Sequence, residues 1–371
     1  MKQIIVVKIG TDLVHCGYNS KNSPLRNIVR ELCKLKREDN IDFLIVSSGA
    51  IGCGMDLLGI SYRPKELPIR QALASIGQVE LMKRYTELFK KYSGNQIFPA
   101  QILLTATDLE NRISYVNILN TIHQLFSLGN TIPIVNENDT TATEEIKFGD
   151  NDTLSARIAV RINASLLIIL TNVDGLYTEN PKSFPKAELI SKVRTLSPQI
   201  FAYAKGTDDE YSVGGMITKL EAVKIAWRAG IPSVIANGHR KGIITQILKD
   251  EAKCTMFIPP KSTLSHKKKW IAFGKTVKGK IFIDEGAKNA LLKKGSSLLP
   301  VGISTAEGNF KKGDCVSIYY SNEEIGRGIV NIDIKNLMKI KGKKTSDIRK
   351  EFSELDIEEV IHRDNMILFS D

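Results

Sequence analysis

The sequence predicts an α/β protein in which a large domain with a mostly parallel sheet is followed by a small β-barrel-like domain. Three observations support this prediction. The chain has 371 residues, more than one average domain holds, and its 42% of hydrophobic residues can build a sizeable core. Short apolar, β-branched runs alternate with amphipathic stretches through the first 240 residues. Beyond about residue 277, short strands broken by glycine replace that alternation.

The elements of the first domain follow one another along the chain. Buried strands are predicted at residues 4–7, 43–46, 101–104, 131–135, 166–170 and 234–236. Amphipathic helices are predicted at residues 25–36, 69–91, 113–128, 152–162 and 217–228. Because crossover helices join parallel strands, ligands are expected where loops leave the C-terminal strand ends.

A change of composition marks the boundary between the domains. Pro259 and Pro260 precede residues 261–280, which hold seven lysines and no acidic residue. The predicted organisation is a first domain, a basic linker, a second domain and a C-terminal tail, at residues 1–255, 256–276, 277–350 and 351–371. Strands of the second domain are predicted at residues 279–283, 297–301, 315–320 and 328–332.

Charge and cysteine usage narrow the classes of function. The net charge of +11 favours anionic partners, such as nucleotides, acidic metabolites or nucleic acid, without choosing among them. The five cysteines are scattered and form no C-x-x-C pair, which argues against a zinc or disulfide framework. No apolar run approaches the roughly 20 residues of a membrane helix, and no signal peptide is visible. We therefore expect a cytoplasmic protein without a membrane partner.

Two loops that follow predicted strands contain glycine and can hold an anion. Residues 8–11 read Lys-Ile-Gly-Thr, so a lysine and free backbone N–H groups lie at one strand end. Residues 47–54 contain three glycines ahead of a helix-like segment, which permits close backbone approach to phosphate or carboxylate. Taken singly, a solvated lysine and an ordinary tight turn explain these loops equally well.

A third region is rich in carboxylate and amide side chains. Residues 136–139 read Asn-Glu-Asn-Asp directly after a buried strand, and residues 149–152 read Gly-Asp-Asn-Asp before a helix. Such groups are costly to bury unless they are hydrogen-bonded or bind a ligand. The second motif could instead cap its helix, and its spacing matches no EF-hand.

Two further loops complete the set. Residues 171–177 read Thr-Asn-Val-Asp-Gly-Leu-Tyr after a buried strand, and residues 214–219 read Gly-Gly-Met-Ile-Thr-Lys at the start of a helix. Glycines at a helix N-terminus favour anion binding. The sequence contains no P-loop and no strand-linked G-x-G-x-x-G motif.

In their order along the chain, these five loops resemble those of the amino acid kinase family, and the two Asn/Asp motifs are similar to those of its glutamate-phosphorylating members. The resemblance implies a three-layer αβα sandwich followed by a PUA domain. It implies transfer of the γ-phosphoryl group of ATP to the γ-carboxylate of L-glutamate, which gives L-glutamyl 5-phosphate for proline biosynthesis. Since a carboxylate is already a nucleophile, catalysis needs positioning and charge neutralisation rather than a general base.

The resemblance also implies a role for individual residues. Lys8 and Lys219 flank the transferred group, and Asp152 orients them. Ser48, Asp139 and Asn151 bind glutamate, with Asp139 facing the α-ammonium group. The residues implied to contact ATP are Lys8, Gly10, Thr171, Asn172, Val213, Gly214, Gly215, Met216, Ile217, Thr218 and Lys219. Mg²⁺ is expected to be held mainly through the ATP phosphates, without a dedicated protein ligand.

Partners follow from the same resemblance, and alternatives stay open. It implies a homo-oligomer, a dimer or tetramer, with feedback inhibition by proline, and leaves open an association with glutamyl phosphate reductase. One alternative is a sibling kinase acting on N-acetylglutamate or aspartate. Another is an RNA-binding or RNA-modifying protein that uses the basic second domain. The chain departs from the family pattern at Asn172 and at residues 212–213, both in the expected nucleotide site.

Overall fold

A computed structural model of the chain describes residues 2–15, 20, 23–39, 41–141, 151–181, 183–184, 186–204, 215–260, 277–351 and 358–369. The chain divides into two units, Met1–Ser262 and Thr263–Asp371. Each unit has a hydrophobic core of its own. Within the described part of the chain, no helix combines the length and hydropathy that a bilayer crossing demands.

In the described part of the first unit, eight strands form the central sheet. They are β1 (Ile4–Ile9), β2 (Asp42–Ser47), β3 (Phe98–Leu104), β4 (Thr131–Glu137), β5 (Leu166–Thr171), β6 (Lys192–Val193), β7 (Ser233–Asn237) and β8 (Cys254–Phe257). Their order is β3-β4-β2-β1-β5-β7-β8-β6, and every pair is parallel except β7–β8. The six predicted strands are confirmed. The sequence analysis missed β6 and β8, because runs of two and four residues are too short to show a period.

The helices of the first unit flank this sheet. They are α1 (Thr11–His15), α2 (Pro24–Glu38), α3 (Ala50–Leu58), α4 (Leu67–Ser93), α5 (Ala106–Glu110), α6 (Arg112–Leu128), α7 (Asn151–Arg161), α8 (Pro198–Ala204), α9 (Met216–Arg228) and α10 (Ile243–Leu248). One group, α2, α4 and α10, packs together, while α7 packs against α9 and against β1 and β5. The predicted parallel sheet between helical layers is confirmed.

The alternation of side chains along β1 determines where its lysine points. Ile5, Val7 and Ile9 belong to the core that also contains residues of α2, α4 and α10. Successive residues of a strand face opposite sides of the sheet, so Lys8 lies on the other side. That side is the one on which α7 and α9 pack.

A close approach between α3 and α4 fixes the turn that follows β2. A Cβ atom added to Gly77 would lie 1.8 Å from the Ala50 carbonyl oxygen, and one added to Gly54 would lie 2.1 Å from the Leu73 carbonyl oxygen. Only glycine fits at such contacts. The start of α3 is therefore held tightly against the middle of α4.

The second unit is built around a five-stranded mixed sheet. Its strands are β9 (Val277–Ile283), β10 (Ile303–Gly308), β11 (Cys315–Tyr320), β12 (Glu323–Ile329) and β13 (Met366–Leu368), in the order β10-β9-β11-β12-β13. Only the β9–β11 pair is parallel among these described strands. Its helices are α11 (Glu285–Lys294), α12 (Ile334–Ile340) and α13 (Thr345–Glu351), with 3-10 turns at Pro300–Gly302 and Arg363–Asn365.

Two strand predictions in this unit need correction. The strand predicted at residues 297–301 is wrong: the chain forms a 3-10 turn at Pro300–Gly302, and the strand begins at Ile303. Pro300 lacks the N–H that a strand interior needs. The strand predicted at residues 328–332 lies too late, because β12 ends at Ile329 and the Asp333 side chain caps the next helix.

Candidate active site

A buried aspartate lies between two lysines at the C-terminal edge of the central sheet. Asp152 is the second residue of α7, and its side chain is 0% exposed. Its Oδ1 lies 2.7 Å from the Lys8 Nζ, and its Oδ2 lies 3.2 Å from the Lys219 Nζ. The first turn of α7 adds the positive end of a helix dipole to the site. Three predicted residues from β1, α7 and α9 thus meet in one place.

The charges of this triad do not balance among themselves. Together Lys8, Asp152 and Lys219 carry a formal charge of +1, while the lysine side chains are only 6% and 7% exposed. A buried charge is costly unless an opposite charge or hydrogen bonds accompany it. The triad therefore suits an anionic ligand, and it can stabilise negative charge that develops on a transferred group.

The start of α9 adds polar groups beside the triad. The Thr218 hydroxyl lies 3.4 Å from Asp152 Oδ2 and donates to the Gly215 carbonyl oxygen at 2.9 Å. Gly215 is the N-cap residue of α9, Met216 is buried and Ile217 is half-buried. The N–H groups of a first helical turn lack intrahelical partners, which favours an anion there. The predicted contacts Val213 and Gly214 lie outside the described residues.

A relay of side-chain amides joins β2, β4, α7 and α4. The Asn151 Nδ2 donates to the Ser47 carbonyl oxygen at 3.1 Å, to the Ser48 Oγ at 3.0 Å and to the Asn136 Oδ1 at 2.9 Å. The Asn136 Nδ2 in turn donates to the Gln78 Oε1 at 2.9 Å. We call these three amides, of Asn151, Asn136 and Gln78, the amide relay. It brings two predicted glutamate-binding residues, Ser48 and Asn151, into contact.

Asp139 lies two residues beyond the end of β4 and is half-buried. One arginine, Arg63, carries charge close enough to interact with it. Burial and repulsion from Arg70 lower the pKa of the Arg63 guanidinium, while attraction to Asp139 acts in the opposite direction. Asp139 thus interacts with a positive charge contributed by the segment before α4. Residues 142–150, which include half of the second Asn/Asp motif, are outside the described part.

The predicted nucleotide residues near β5 share the same edge of the sheet. The Gly10 N–H donates to the Leu170 carbonyl oxygen at 3.3 Å, which links the end of β1 to the end of β5. Thr171 is half-buried, Asn172 is exposed, and the Thr171 hydroxyl lies 3.4 Å from the Asn172 Oδ1. These residues lie beside β1, the strand that carries Lys8, because β1 and β5 are neighbours.

A second aspartate ties the loops after β5 and β7 together. The Arg240 Nε and Nη2 donate to Asp174 at 2.7 and 2.8 Å, and the Lys253 Nζ lies 3.1 Å from its Oδ2. Burial acts to raise the pKa of Asp174, but hydrogen bonds from Arg240 and Lys253 outweigh it and lower that pKa to about 2. Asp174 therefore stays ionised and anchors these loops near neutral pH.

The described residues were compared with the side-chain groupings that hold metal ions and with the surroundings of reactive thiols. No group of three or more His, Cys, Asp or Glu side chains there is arranged to hold a metal ion. The described cysteines are buried free thiols, and burial raises the pKa of Cys33 and of Cys53 to about 11. Such thiols are poor nucleophiles and poor metal ligands at neutral pH.

Gln78 was not predicted from the sequence, although most of the surrounding loops were. Gln78 lies inside a helix, where the periodic pattern of apolar residues indicates which positions are buried but not which bind a ligand. Its contact with Asn136 joins residues 58 positions apart. The one local signal is Gly77, since glycine inside a helix often marks a close approach. Asn136 stands in a motif that was recognised, but the sequence offered no reason to separate it from its neighbours.

Comparison with known proteins agrees with this geometry. The sequence pattern of the amino acid kinase family matches residues 3–237, which is more than half of the chain. The chain belongs to the amino acid kinase family. The pattern of the PUA domain matches residues 279–352, so the second unit of this family member is similar to PUA domains. The family resemblance predicted from the loops is confirmed.

Relatives within the family cover nearly the whole chain. A protein of Dictyoglomus thermophilum named glutamate 5-kinase is 46% identical over 99% of this chain and 97% of its own length. A glutamate 5-kinase of Synechococcus elongatus is 42% identical over 99% of this chain and 100% of its own length. A solved carbamate kinase from Giardia lamblia, bound to AMP-PNP, covers 70% of this chain and 99% of its own, with 13% identity and a TM-score of 0.50. That last likeness concerns the fold alone.

Proposed function

We propose that this amino acid kinase transfers the γ-phosphoryl group of ATP to the γ-carboxylate of L-glutamate, giving L-glutamyl 5-phosphate and ADP. The observation that carries the proposal is the buried triad of Lys8, Asp152 and Lys219 beside Ser48 and Asn151. The names of the full-length relatives agree with this reaction. It would supply the first intermediate of proline synthesis.

Glutamate binding is assigned to the loops after β2 and β4 and the start of α7. The Ser48 hydroxyl and neighbouring backbone N–H groups suit a carboxylate, and Asn151 holds Ser48 in place. Asp139 is the carboxylate proposed to face the α-ammonium group, since opposite charges attract strongly in a partly buried site. The two ends of the amino acid are thereby recognised by different strands.

Phosphoryl transfer is assigned to the two lysines. Because both ammonium groups lie within 3.2 Å of one carboxylate, Lys8 and Lys219 can flank a single transferred group. They would neutralise its charge and that of the bridging oxygen. Asp152 is a positioning residue that holds both lysines, and it needs no role as a base because the γ-carboxylate is already ionised.

The nucleotide is proposed to lie over the ends of β1 and β5 and the start of α9. Gly10 permits close approach of the backbone, Thr171 and Asn172 line the β5 end, and Gly215 to Lys219 line the helix start. The carboxylate of Asp152 at this point is already engaged by two lysines. Mg²⁺ would therefore be held mainly by the ATP phosphates, whose charge it would help to neutralise.

A hydroxamate assay tests the reaction directly. Purified protein is incubated with ATP, Mg²⁺, hydroxylamine and one of L-glutamate, N-acetyl-L-glutamate or L-aspartate, with and without L-proline. We expect hydroxamate with L-glutamate only, and a reduced rate when L-proline is present. Activity confined to N-acetylglutamate or aspartate would overturn the proposed substrate and favour a sibling kinase. Light scattering on the same sample tests the proposed dimer or tetramer.

A further inference from the structure

We propose that Gln78 is a further substrate-binding residue, whose Nε2 donates a hydrogen bond to the α-carboxylate of L-glutamate. This inference rests on the proposed function and adds a specificity-determining residue to the same site. Nothing in the loop motifs or in the family resemblance pointed to Gln78. The amide relay, and the polar atoms left at its two ends, carry the inference.

The direction of every amide in the relay follows from backbone partners of fixed character. The Asn151 Nδ2 faces the Ser47 carbonyl oxygen, which can only accept, so this atom is the nitrogen. The Asn136 Oδ1 accepts from the Glu137 backbone N–H, so this atom is the oxygen. The Asn136 Nδ2 must then find an acceptor, and Gln78 supplies its Oε1. The Gln78 Nε2 is consequently a donor that points away from Asn136.

With the amides in this orientation, one polar atom at each end of the amide relay has no hydrogen-bond partner among the described residues. The Gln78 Nε2 and the Asn151 Oδ1 are both buried and have no hydrogen-bond partner among the described residues. One is a donor and the other is an acceptor. A buried polar atom without a partner costs on the order of a full desolvation penalty, so a ligand that satisfies both atoms is strongly favoured.

The chemistry of the two atoms matches an α-amino acid. A carboxylate only accepts hydrogen bonds, as the Gln78 Nε2 requires, and an ammonium group only donates them, as the Asn151 Oδ1 requires. The Asn151 oxygen would share the ammonium group with Asp139, since an ammonium carries three N–H donors. Simple dicarboxylates and simple amines each satisfy only one end.

The order of the strands decides which carboxylate Gln78 meets. Lys8 lies on β1, while Asn136 lies on β4, and β2 lies between them. Neighbouring strands are about 4.8 Å apart, so the two positions are separated by roughly 10 Å across the sheet. With the γ-carboxylate at Lys8, the chain of glutamate extends towards β4. The group that reaches Gln78 is therefore the α-carboxylate.

The packing of α4 holds Gln78 in place. Its neighbour Gly77 lies so close to α3 that a Cβ atom there would be 1.8 Å from the Ala50 carbonyl oxygen. The helix cannot move closer to the Ser48–Ala50 turn, and packing against α3 prevents retreat without opening the core. Gln78 therefore presents its amide from a rigid helix, which suits recognition of a fixed carboxylate.

Gln78→Glu is the decisive variant, because it keeps an acceptor for the Asn136 Nδ2 and replaces the donor by a negatively charged oxygen that repels a carboxylate. The hydroxamate assay gives KM and kcat for L-glutamate, for glutarate, which lacks the ammonium group, and for 4-aminobutyrate, which lacks the α-carboxylate. Where an analogue forms no product, its inhibition constant against L-glutamate is measured. Gln78→Leu is the second variant, and Gln246→Leu, outside the relay, is the matched control.

For Gln78→Glu we expect KM for L-glutamate and the constant for glutarate to rise at least tenfold, with kcat and KM for ATP changed less than twofold. The constant for 4-aminobutyrate should not rise. In Gln78→Leu, the constants for L-glutamate and glutarate should rise by a smaller factor, and the constant for 4-aminobutyrate should again not rise. Gln246→Leu should match the wild type.

An equal rise in the constant for 4-aminobutyrate would mean that Gln78 has only a structural role. An unchanged KM for L-glutamate would mean that Gln78 does not contact the substrate. Both results overturn the inference while leaving the proposed function intact. A wild-type protein that forms no hydroxamate from L-glutamate would instead overturn the proposed function itself.

Discussion

Two aspartates at the same edge of the central sheet are each held by two cations, yet their surroundings differ. Asp152 is 0% exposed, and its partners Lys8 and Lys219 are 6% and 7% exposed. Asp174 is 10% exposed, and its partners Arg240 and Lys253 are 43% and 55% exposed. Each cluster contains one carboxylate and two cations, so their formal charges are equal. They differ in how much water can reach the cations.

That difference supports different proposed roles for the two clusters, an anion-binding site around Asp152 and an anchor around Asp174. Around Asp174, water solvates the charge that the carboxylate leaves unbalanced, so the cluster is complete and ties loops together. Around Asp152, protein excludes most of the water from both lysines, so their charges are screened less than those of Arg240 and Lys253. Burial of the cations, rather than the number of ion pairs, is therefore the feature that supports the proposed role of the Asp152 cluster in phosphoryl transfer.

The largest expected effect lies in the buried cluster. Lys219→Met and Lys8→Met each remove one charge while keeping a side chain of similar length, and we expect kcat to fall about a hundredfold. The hydroxamate assay with saturating L-glutamate and ATP measures it, and circular dichroism verifies the fold. Lys253→Met is the matched control and should keep kcat within about twofold. A wild-type kcat in either lysine variant would show that the buried Asp152 cluster is no more important for activity than the exposed Asp174 cluster.

The next effect concerns stability in the exposed cluster. Asp174→Asn should lower the free energy of unfolding of the first unit by about 1 kcal/mol at pH 7, because the depressed pKa of Asp174 shows that folding favours its ionised form, while water around the exposed Arg240 and Lys253 screens the interaction. Urea titration followed by circular dichroism measures the loss. The kcat should change no more than about twofold. A large drop in kcat in a stable variant would show that Asp174 belongs to the catalytic machinery.

The smallest effect is the pH dependence of that stability. The pKa of Asp174 is about 2 in the folded chain, below its ordinary value of 3.8. A depressed carboxyl pKa stabilises the fold at pH values above the unfolded value, and this contribution disappears as the pH falls through the folded value. The stability difference between wild type and Asp174→Asn should thus be constant above about pH 5 and shrink at lower pH. A difference that stays constant down to pH 3 would contradict the assignment.

Most of the first unit could be predicted because its local patterns agree with its fold. The strands β1, β2, β4, β5 and β7 are apolar on both faces, as buried parallel strands are. The second unit was predicted less well, because its strands are short and partly exposed. At Pro300 the missing N–H outweighed the apolar run around it and produced a turn.

The residues of the candidate site also differ in how well they can be predicted from the sequence. Lys8, Asp152 and Lys219 stand in loops whose residue types are unusual at strand ends or helix starts, so the sequence marks them. Gln78 stands in the middle of a long helix, where a single glutamine attracts no notice. Its contact with Asn136 exists only once α4 is packed on α3.

Sequence alone determined the order of strands and helices, the two-unit organisation and the loops that carry charged and glycine residues, because hydrophobic period and turn chemistry act over a few residues. Tertiary structure alone decided that Lys8, Asp152 and Lys219 share one water-poor space while Asp174 keeps its cations in water. Burial arises from contacts between segments far apart in the chain, and the strength of the interaction between two charges depends on that burial.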